Sequence, residues 1–371
     1  MQTRLHLLQD WTHHLQALLP GLRVTRVRGL ALLSLGLIWA GTPQLGHIAA
    51  TLPLPVQELS TVRRLRRWLA TRAVPVVATW QPLARAFLAH RGQRELLLVF
   101  DPTPERDDAT LLVLGLVVHR RVLPLAWHIV PGQTAWAHPT TAYLARLGQR
   151  VAAVLPPGVT VTRVVDRGLA SAAVIDWCQR LGWHGLMRRN VDARQGVHVR
   201  LPDGTVCPAW ACVPGPGRRW AGPVAAFQTQ GWYAAELTSI WPVRSREPWV
   251  LLSDRPAGPA RVREDRRRQQ VEAVSQDGTT RGWNLEASTR TARNRLNRLP
   301  LALFLALWWS HLRGQQVVRR GERRRFDRTD RRECSLVRLG RRWMTWLLDH
   351  QRLPPLPFRY HHQQWTCRWR Y

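Results

Sequence analysis

Lysine is missing from the chain altogether. All 55 basic residues are therefore arginine, and only 24 acidic residues oppose them, leaving a formal net charge of +31. Arginine stays charged and presents a planar fork of donors that suits phosphate. An excess of this size predicts a polyanionic partner, with nucleic acid the expected one. Drift in a GC-rich genome accounts for arginine in place of lysine. It does not account for the excess of bases over acids.

Cysteine is scarce too. Five residues lie scattered at 178, 207, 212, 334 and 367, which suits a reducing cytoplasm better than a disulfide framework. Cys207 and Cys212 lack the second pair that a zinc site needs. Long apolar runs are absent. LALLSLGLIWAG (30–41) and LPLALFLALWW (299–309) both fall short of the roughly 20 residues that cross a bilayer. They are expected to be core helices, with no membrane partner. The start, MQTRLHLLQDW, lacks the apolar stretch and cleavage site of a signal peptide. Neither a Walker loop nor a G-x-G-x-x-G fingerprint occurs, which argues against nucleotide hydrolysis. His13-His14 and His361-His362 have no ligand partners at metal spacing and read as surface residues.

What is present reads as an α/β protein of about two or three domains. Residues 1–92 carry apolar positions at helical spacing, with prolines between the segments, and are expected to form a helical DNA-binding domain. In ELSTVRRLRRWLA, Ser60 or Thr61 is the expected N-cap, and Arg63, Arg64, Arg66 and Arg67 fall on exposed faces, where they either contact DNA or are merely solvated. From residue 93 the pattern changes. ELLLVF (95–100), TLLVLGLVVH (110–119) and VLPLAWHIV (122–130) are strand-like runs. A helix (138–154), a strand (159–166), a helix closed by a glycine (170–182) and a strand (183–188) follow. This order predicts a mixed sheet with helices packed on it. Residues 189–248, rich in Gly, Pro and Trp with a hairpin cue at LPDGTV, predict a β-rich insertion. The sheet resumes at 248–254, ahead of a polar helix (262–277) and a long apolar helix (284–312). The stretch RGERRRFDRTDRRE (320–333) is expected to be an exposed arm, and 335–350 a last amphipathic helix. The domains then run 1–92, 93–188 with 249–312, 189–248, and a basic C-terminal region 313–371.

Asp101 and Asp166 share a context. Each ends a buried β run and is followed by a turn, PTP or RGL. Either could cap a helix or hold a turn. As a pair at the carboxyl ends of neighbouring strands they mark a candidate site. Close carboxylates repel unless protons or cations neutralise them, and the natural neutraliser beside phosphate is magnesium. Two such ions about 4 Å apart can activate a nucleophile and stabilise a leaving oxygen, an arrangement that wants a third carboxylate.

The region RVREDRRRQQVEAVSQDGTTRGWNLE (261–286) supplies it. Here the chain resembles the DDE transposases of bacterial insertion sequences, in the insertion sequence four family marked by Tyr-x2-Arg-x3-Glu-x6-Lys. Aligning Arg281, Gly282, Trp283, Leu285 and Glu286 with that family's RGW-x-LE ending puts its glutamate on Glu272 and its arginine on Arg268. Asp265 stands where the signature has tyrosine and Thr279 where it has lysine, with Arg281 as a substitute cation. DPTP (101–104) is similar to the family's first-aspartate motif and VVDRGLAS (164–171) to its second.

The resemblance implies a ribonuclease H-like mixed sheet with a β-rich insertion and a helical N-terminal domain. It implies that Asp101, Asp166 and Glu272 hold two Mg2+ ions, with Mn2+ as a substitute. It implies cleavage of transposon ends and strand transfer into target DNA by a protein that is a homodimer on double-stranded DNA. Arg268 and Arg281 would contact DNA. Trp283 would either stack on an unpaired base or pack in the core. Two other readings stay open: a nuclease on the same fold without strand transfer, and an inactive, DNA-binding relative.

Overall fold

A computed structural model of the chain describes residues 2–104, 109–118, 121–132, 136–165, 170–189, 191, 196–268 and 297–357. They form two compact units. One comprises the described parts of 1–92 and 297–357, the other those of 93–268.

The first unit is helical: α1 (Gln2–Leu18), α2 (Val24–Ala40), α3 (Leu45–Thr51), α4 (Glu58–Ala70) and α5 (Val76–Arg91), joined later in the chain by α9 (Leu299–Arg319) and α10 (Leu336–Asp349). The two longest apolar runs lie in α2 and α9. Both are buried nearly all round, as a helix apolar on every face must be in water. Trp309 of α9 packs on Trp11 of α1 at 4.7 Å between ring centroids, and Trp308 stacks on Phe87 of α5 at 4.2 Å. Aromatic pairs of this kind add about 0.5–1.5 kcal/mol beyond their burial. The sequence reading placed 249–312 with the sheet; α9 instead completes the helical core, because its buried tryptophans have their aromatic partners on α1 and α5.

Two further expectations change. Ser60 and Thr61 lie inside α4, whose N-cap is Gln57. The 320–333 stretch is mostly exposed, as expected, but it is held in place rather than free. Asp327 is buried and accepts hydrogen bonds from the backbone N–H groups of Arg328, Glu333 and Cys334 and from Arg323 Nε. One carboxylate thus ties the arginine-rich loop into a fixed turn.

The second unit is built on one ten-stranded sheet in the order β3-β2-β1-β4-β5-β10-β9-β8-β6-β7. Its strands are β1 (Glu95–Pro104), β2 (Ala109–Val118), β3 (Arg121–Pro131), β4 (Thr160–Val165), β5 (His184–Arg189), β6 (His198–Arg200), β7 (Val206–Pro208), β8 (Arg219–Ala226), β9 (Tyr233–Ile240) and β10 (Trp249–Ser253). Strands β1, β4 and β5 are mutually parallel, β2 and β10 run the other way, and β3, antiparallel to β2, runs with β1 again. The 189–248 segment does not fold apart. Its strand β9 pairs with β10, so the insertion prolongs the central sheet. The LPDGTV hairpin forms between β6 and β7, with Gly204 at φ +87°.

Among the described residues three helices cover the sheet: α6 (Thr140–Ala152), α7 (Ala172–Arg180) and α8 (Pro259–Arg268). Helix α7 ends as the sequence predicts. Gly182 takes φ +67°, its N–H donates to Gln179 O, and the Trp183 N–H donates to Cys178 O. Val262 of α8 packs into a cluster with Leu97, Val99, Val164, Leu186 and Leu251. Arg163, of opposite parity to Val164, stacks 4.4 Å from the Trp177 ring of α7. Strand residues alternate faces, so α7 and α8 lie on opposite sides of the sheet.

Candidate active site at the carboxyl edge of the parallel strands

Strands β1 and β4 are paired in register up to Val99↔Val164. The backbone of Asp101 lies in β1, two residues beyond Val99 and opposite Val113 of β2. Asp166 is likewise two residues beyond Val164 in sequence; it lies outside the described residues, as do Glu272, Arg281 and Trp283. Of the predicted site residues, the structure describes Asp101 by its backbone, and Arg268, Arg63, Arg64, Arg66 and Arg67 in full.

Helix α8 has a definite direction across the sheet. Just before it, Arg255 donates to Thr162 Oγ1 near the start of β4 at 2.9 Å and pairs with Glu264 at 3.4 Å. There too Asp254 accepts from Gly185 N–H at 2.9 Å and lies 2.9 Å from His184 Nδ1, at the amino end of β5. Glu264 also holds Arg261 at 3.2 Å. Burial pushes the Glu264 carboxyl up from its usual value, against the pull of Arg261 and Arg255. From the very next residue the contacts reach the other end of β5. Asp265, fully buried, pairs with Arg188 at 3.3 Å, and the Arg266 guanidinium lies over Trp249. Helix α8 therefore runs from the amino edge to the carboxyl edge of the parallel strands. Arg268 ends it there, its Nε 3.9 Å from Asp265.

Asp265 changes its meaning on this geometry. From sequence it stood where the family signature has a tyrosine facing DNA. In the structure it faces inward, because Arg188, buried at the end of β5 and stacked 4.5 Å from Trp249, needs a counter-charge. Sequence reasoning missed Arg188. The signal was available: in WHGLMRR, as in ELLLVFD, a buried apolar run meets charge.

Among the described residues no group of three His, Cys, Asp or Glu side chains is disposed to hold a metal. Asp265, against the carboxyl end of β5, is taken up by Arg188. Any metal at this edge would fall to the expected trio Asp101, Asp166 and Glu272, of which the structure describes only the backbone of Asp101. Their hard oxygen donors fit magnesium, and the β1–β4 register leaves equal lengths of chain from its last pair to each aspartate.

The four α4 arginines are all exposed and fall on two faces. Arg64 and Arg67 line a cleft of about 770 Å³ against α2, together with Arg26 and Arg28; Arg63 and Arg66 do not.

No family model matches the chain, and no curated protein matches it. Among solved structures, it is similar to a piggyBac transposase in a cryo-EM synaptic complex with hairpin DNA. The TM-score is 0.43 with 12% identity, over 89% of this chain and 72% of that one. A likeness of that size assigns no family by itself.

Proposed function

We propose that this chain is a DDE-type transposase that cuts transposon ends and transfers the freed strand into target DNA. The reading that carries it is a ribonuclease H-like site at the carboxyl edge of β1 and β4. The observation behind it is the in-register parallel pairing of β1 with β4, toward whose carboxyl end α8 also runs. Asp101 has the parity of Leu97 and Val99 along β1, and Asp166 that of Val164, which are the positions that meet α8. Glu272 follows Arg268 by four residues, a chain length of at most roughly 14 Å.

Asp101, Asp166 and Glu272 would hold two Mg2+ ions, or Mn2+ in their place, which supply Lewis acidity and an activated water for phosphodiester cleavage. The chain's own part is placement. The sheet fixes the two aspartates, α8 brings the glutamate toward them, and Arg268 holds a phosphate beside the cut. Water first releases a 3′ hydroxyl at the transposon end. That hydroxyl then attacks the target strand, one phosphodiester exchanging for another without a protein-linked intermediate. The arginine excess holds the DNA, a homodimer brings two ends together, and the reaction takes place in the cytoplasm.

The test is a strand-cleavage and joining assay on terminal DNA fragments. Alanine at Asp101, Asp166 or Glu272 should abolish both products while leaving DNA binding. Undiminished joining by Asp166→Ala protein rules the proposal out. Nicks without joined product would point to a nuclease; binding without cleavage in any metal would point to an inactive relative.

A further inference from the structure

The α2–α4 cleft of the helical unit belongs to no part of the catalytic argument, yet it gathers charge in an unusual way. Arg26 and Arg28 come from the first turns of α2, Arg64 and Arg67 from the last turns of α4. No acidic residue lines the cleft. Among the described residues, none of the four arginines has an ion-pair partner. Four like charges held on facing helices repel unless an anion lies between them.

The arrangement also breaks a local rule. A helix start favours acidic or small polar residues. Helix α2 begins after Arg23, whose side chain makes no cap, and carries no acid in its first turn. Its free N–H groups add to the positive field of the guanidinium groups. Such departures from local preference are expected where function demands them.

The cleft is built, not incidental. Gly29 and Trp68 form its floor, and a Cβ on Gly29 would fall 2.0 Å from Trp68 Cδ1. The Trp68 indole donates to Arg26 O at 2.8 Å, and Arg26 also bonds the Thr71 hydroxyl. These contacts lock the two helices at one separation. Trp68 is buried and hydrogen-bonded, so the cleft offers no open aromatic face on which an unpaired base could stack.

We infer that this cleft grips the phosphate backbone of duplex DNA, with Arg26, Arg28, Arg64 and Arg67 as the contacts and no base reading. The inference rests on the DNA-handling function proposed above but not on its chemistry. It adds Arg26 and Arg28, and it divides the α4 arginines into two that grip (Arg64, Arg67) and two that do not (Arg63, Arg66).

The test is the salt dependence of binding to a fluorescent duplex of about 20 base pairs, in chelator, with the full chain. Arg28→Gln/Arg64→Gln is compared with Arg63→Gln/Arg66→Gln, which removes equal charge, and circular dichroism checks that both fold. Each lost phosphate contact should lower the slope of log K against log salt by about 0.9. The cleft pair should therefore lose about 1.8 of slope and bind roughly 100-fold more weakly, with little change in the other pair. Equal losses in the two variants, or none in either, overturn the cleft. Cleft-dependent binding that is tighter for a single strand overturns the duplex assignment. If the cleft variants bind normally while wild-type protein still cleaves in Mg2+, this inference fails and the transposase reading stands. If the wild-type chain binds no duplex at all, both fail.

Discussion

Arg188, at the carboxyl end of β5, holds Asp265 of α8 across a buried 3.3 Å ion pair. Removing one partner leaves the other charge buried, at a cost of about 3–5 kcal/mol. Asp265→Asn should lower the urea midpoint accordingly, and Arg188→Met/Asp265→Leu should recover most of the loss. Asp265→Tyr, which restores the family's signature residue, should also destabilise, because a fully buried site must admit a ring while Arg188 loses its partner. A more stable or tighter-binding Asp265→Tyr protein would contradict the inward-facing assignment.

Arg268 gives a prediction about catalysis. A charge-assisted contact to phosphate is worth about 1.5–3 kcal/mol. Arg268→Ala should therefore slow end cleavage by roughly 10- to 150-fold. Its side chain is partly exposed, so the melting temperature should move little. Lysine should restore only part of the rate, since it cannot make the forked contact. An unchanged rate in the alanine variant would remove Arg268 from the site.

Helices α9 and α10 touch backbone to backbone. A Cβ on Gly340 would sit 1.8 Å from Ser310 O, and one on Gly314 would sit 1.8 Å from Leu336 O. Either alanine substitution must push the helices apart, at a cost of about 1–3 kcal/mol. Gly21 has nothing within 4 Å of its Cβ position, so Gly21→Ala serves as the harmless control in the same melting experiment.

Asp327 predicts a pH dependence. Burial alone would raise its carboxyl, but the Arg323 hydrogen bond and the Cys334 N–H outweigh burial and hold it below the usual value. The folded pKa is depressed, so the stabilisation is complete above the unfolded pKa of about 3.9 and is lost as pH falls through the lower folded value. The stability gap between wild type and Asp327→Asn, read from urea midpoints, should therefore be wide at pH 6 and narrow toward pH 2. A gap independent of pH would mean that Asp327 does not act through its charge.

The strand segments of the central sheet and most helices were legible because burial on both faces leaves continuous apolar runs, as in β1 and β2, and burial on one face leaves helical spacing, as in α6 and α10. Asp101 stood out as a charge at the end of an apolar run, but β1 does not stop there: it continues through the expected PTP turn to Pro104, still paired with β2. Four things were not legible. The pairing of β9 with β10 depends on contacts remote in sequence, so the insertion looked separate. The place of α9 in the helical unit depends on partners more than 200 residues earlier, such as Trp11 and Trp80. The inward turn of Asp265 depends on Arg188, which no local pattern connects to it. Arg26 and Arg28 escaped notice for the same reason: only α4 lying beside α2 makes them a group.

The route of the chain sets an order of events at birth. The first five helices are synthesised early, but Trp308 and Trp309, which fill the space among α1 and α5, are made much later. About 250 residues separate the end of α5 from the end of α10, a delay of roughly 10 to 50 s during synthesis. Throughout that delay the apolar sides of α1, α2 and α5 lack their cover. The sheet unit, whose chain is continuous, can close first. The nascent helical half is thus the span that most needs a chaperone, and a copy truncated before Leu299 would leave the ribosome with that surface permanently open.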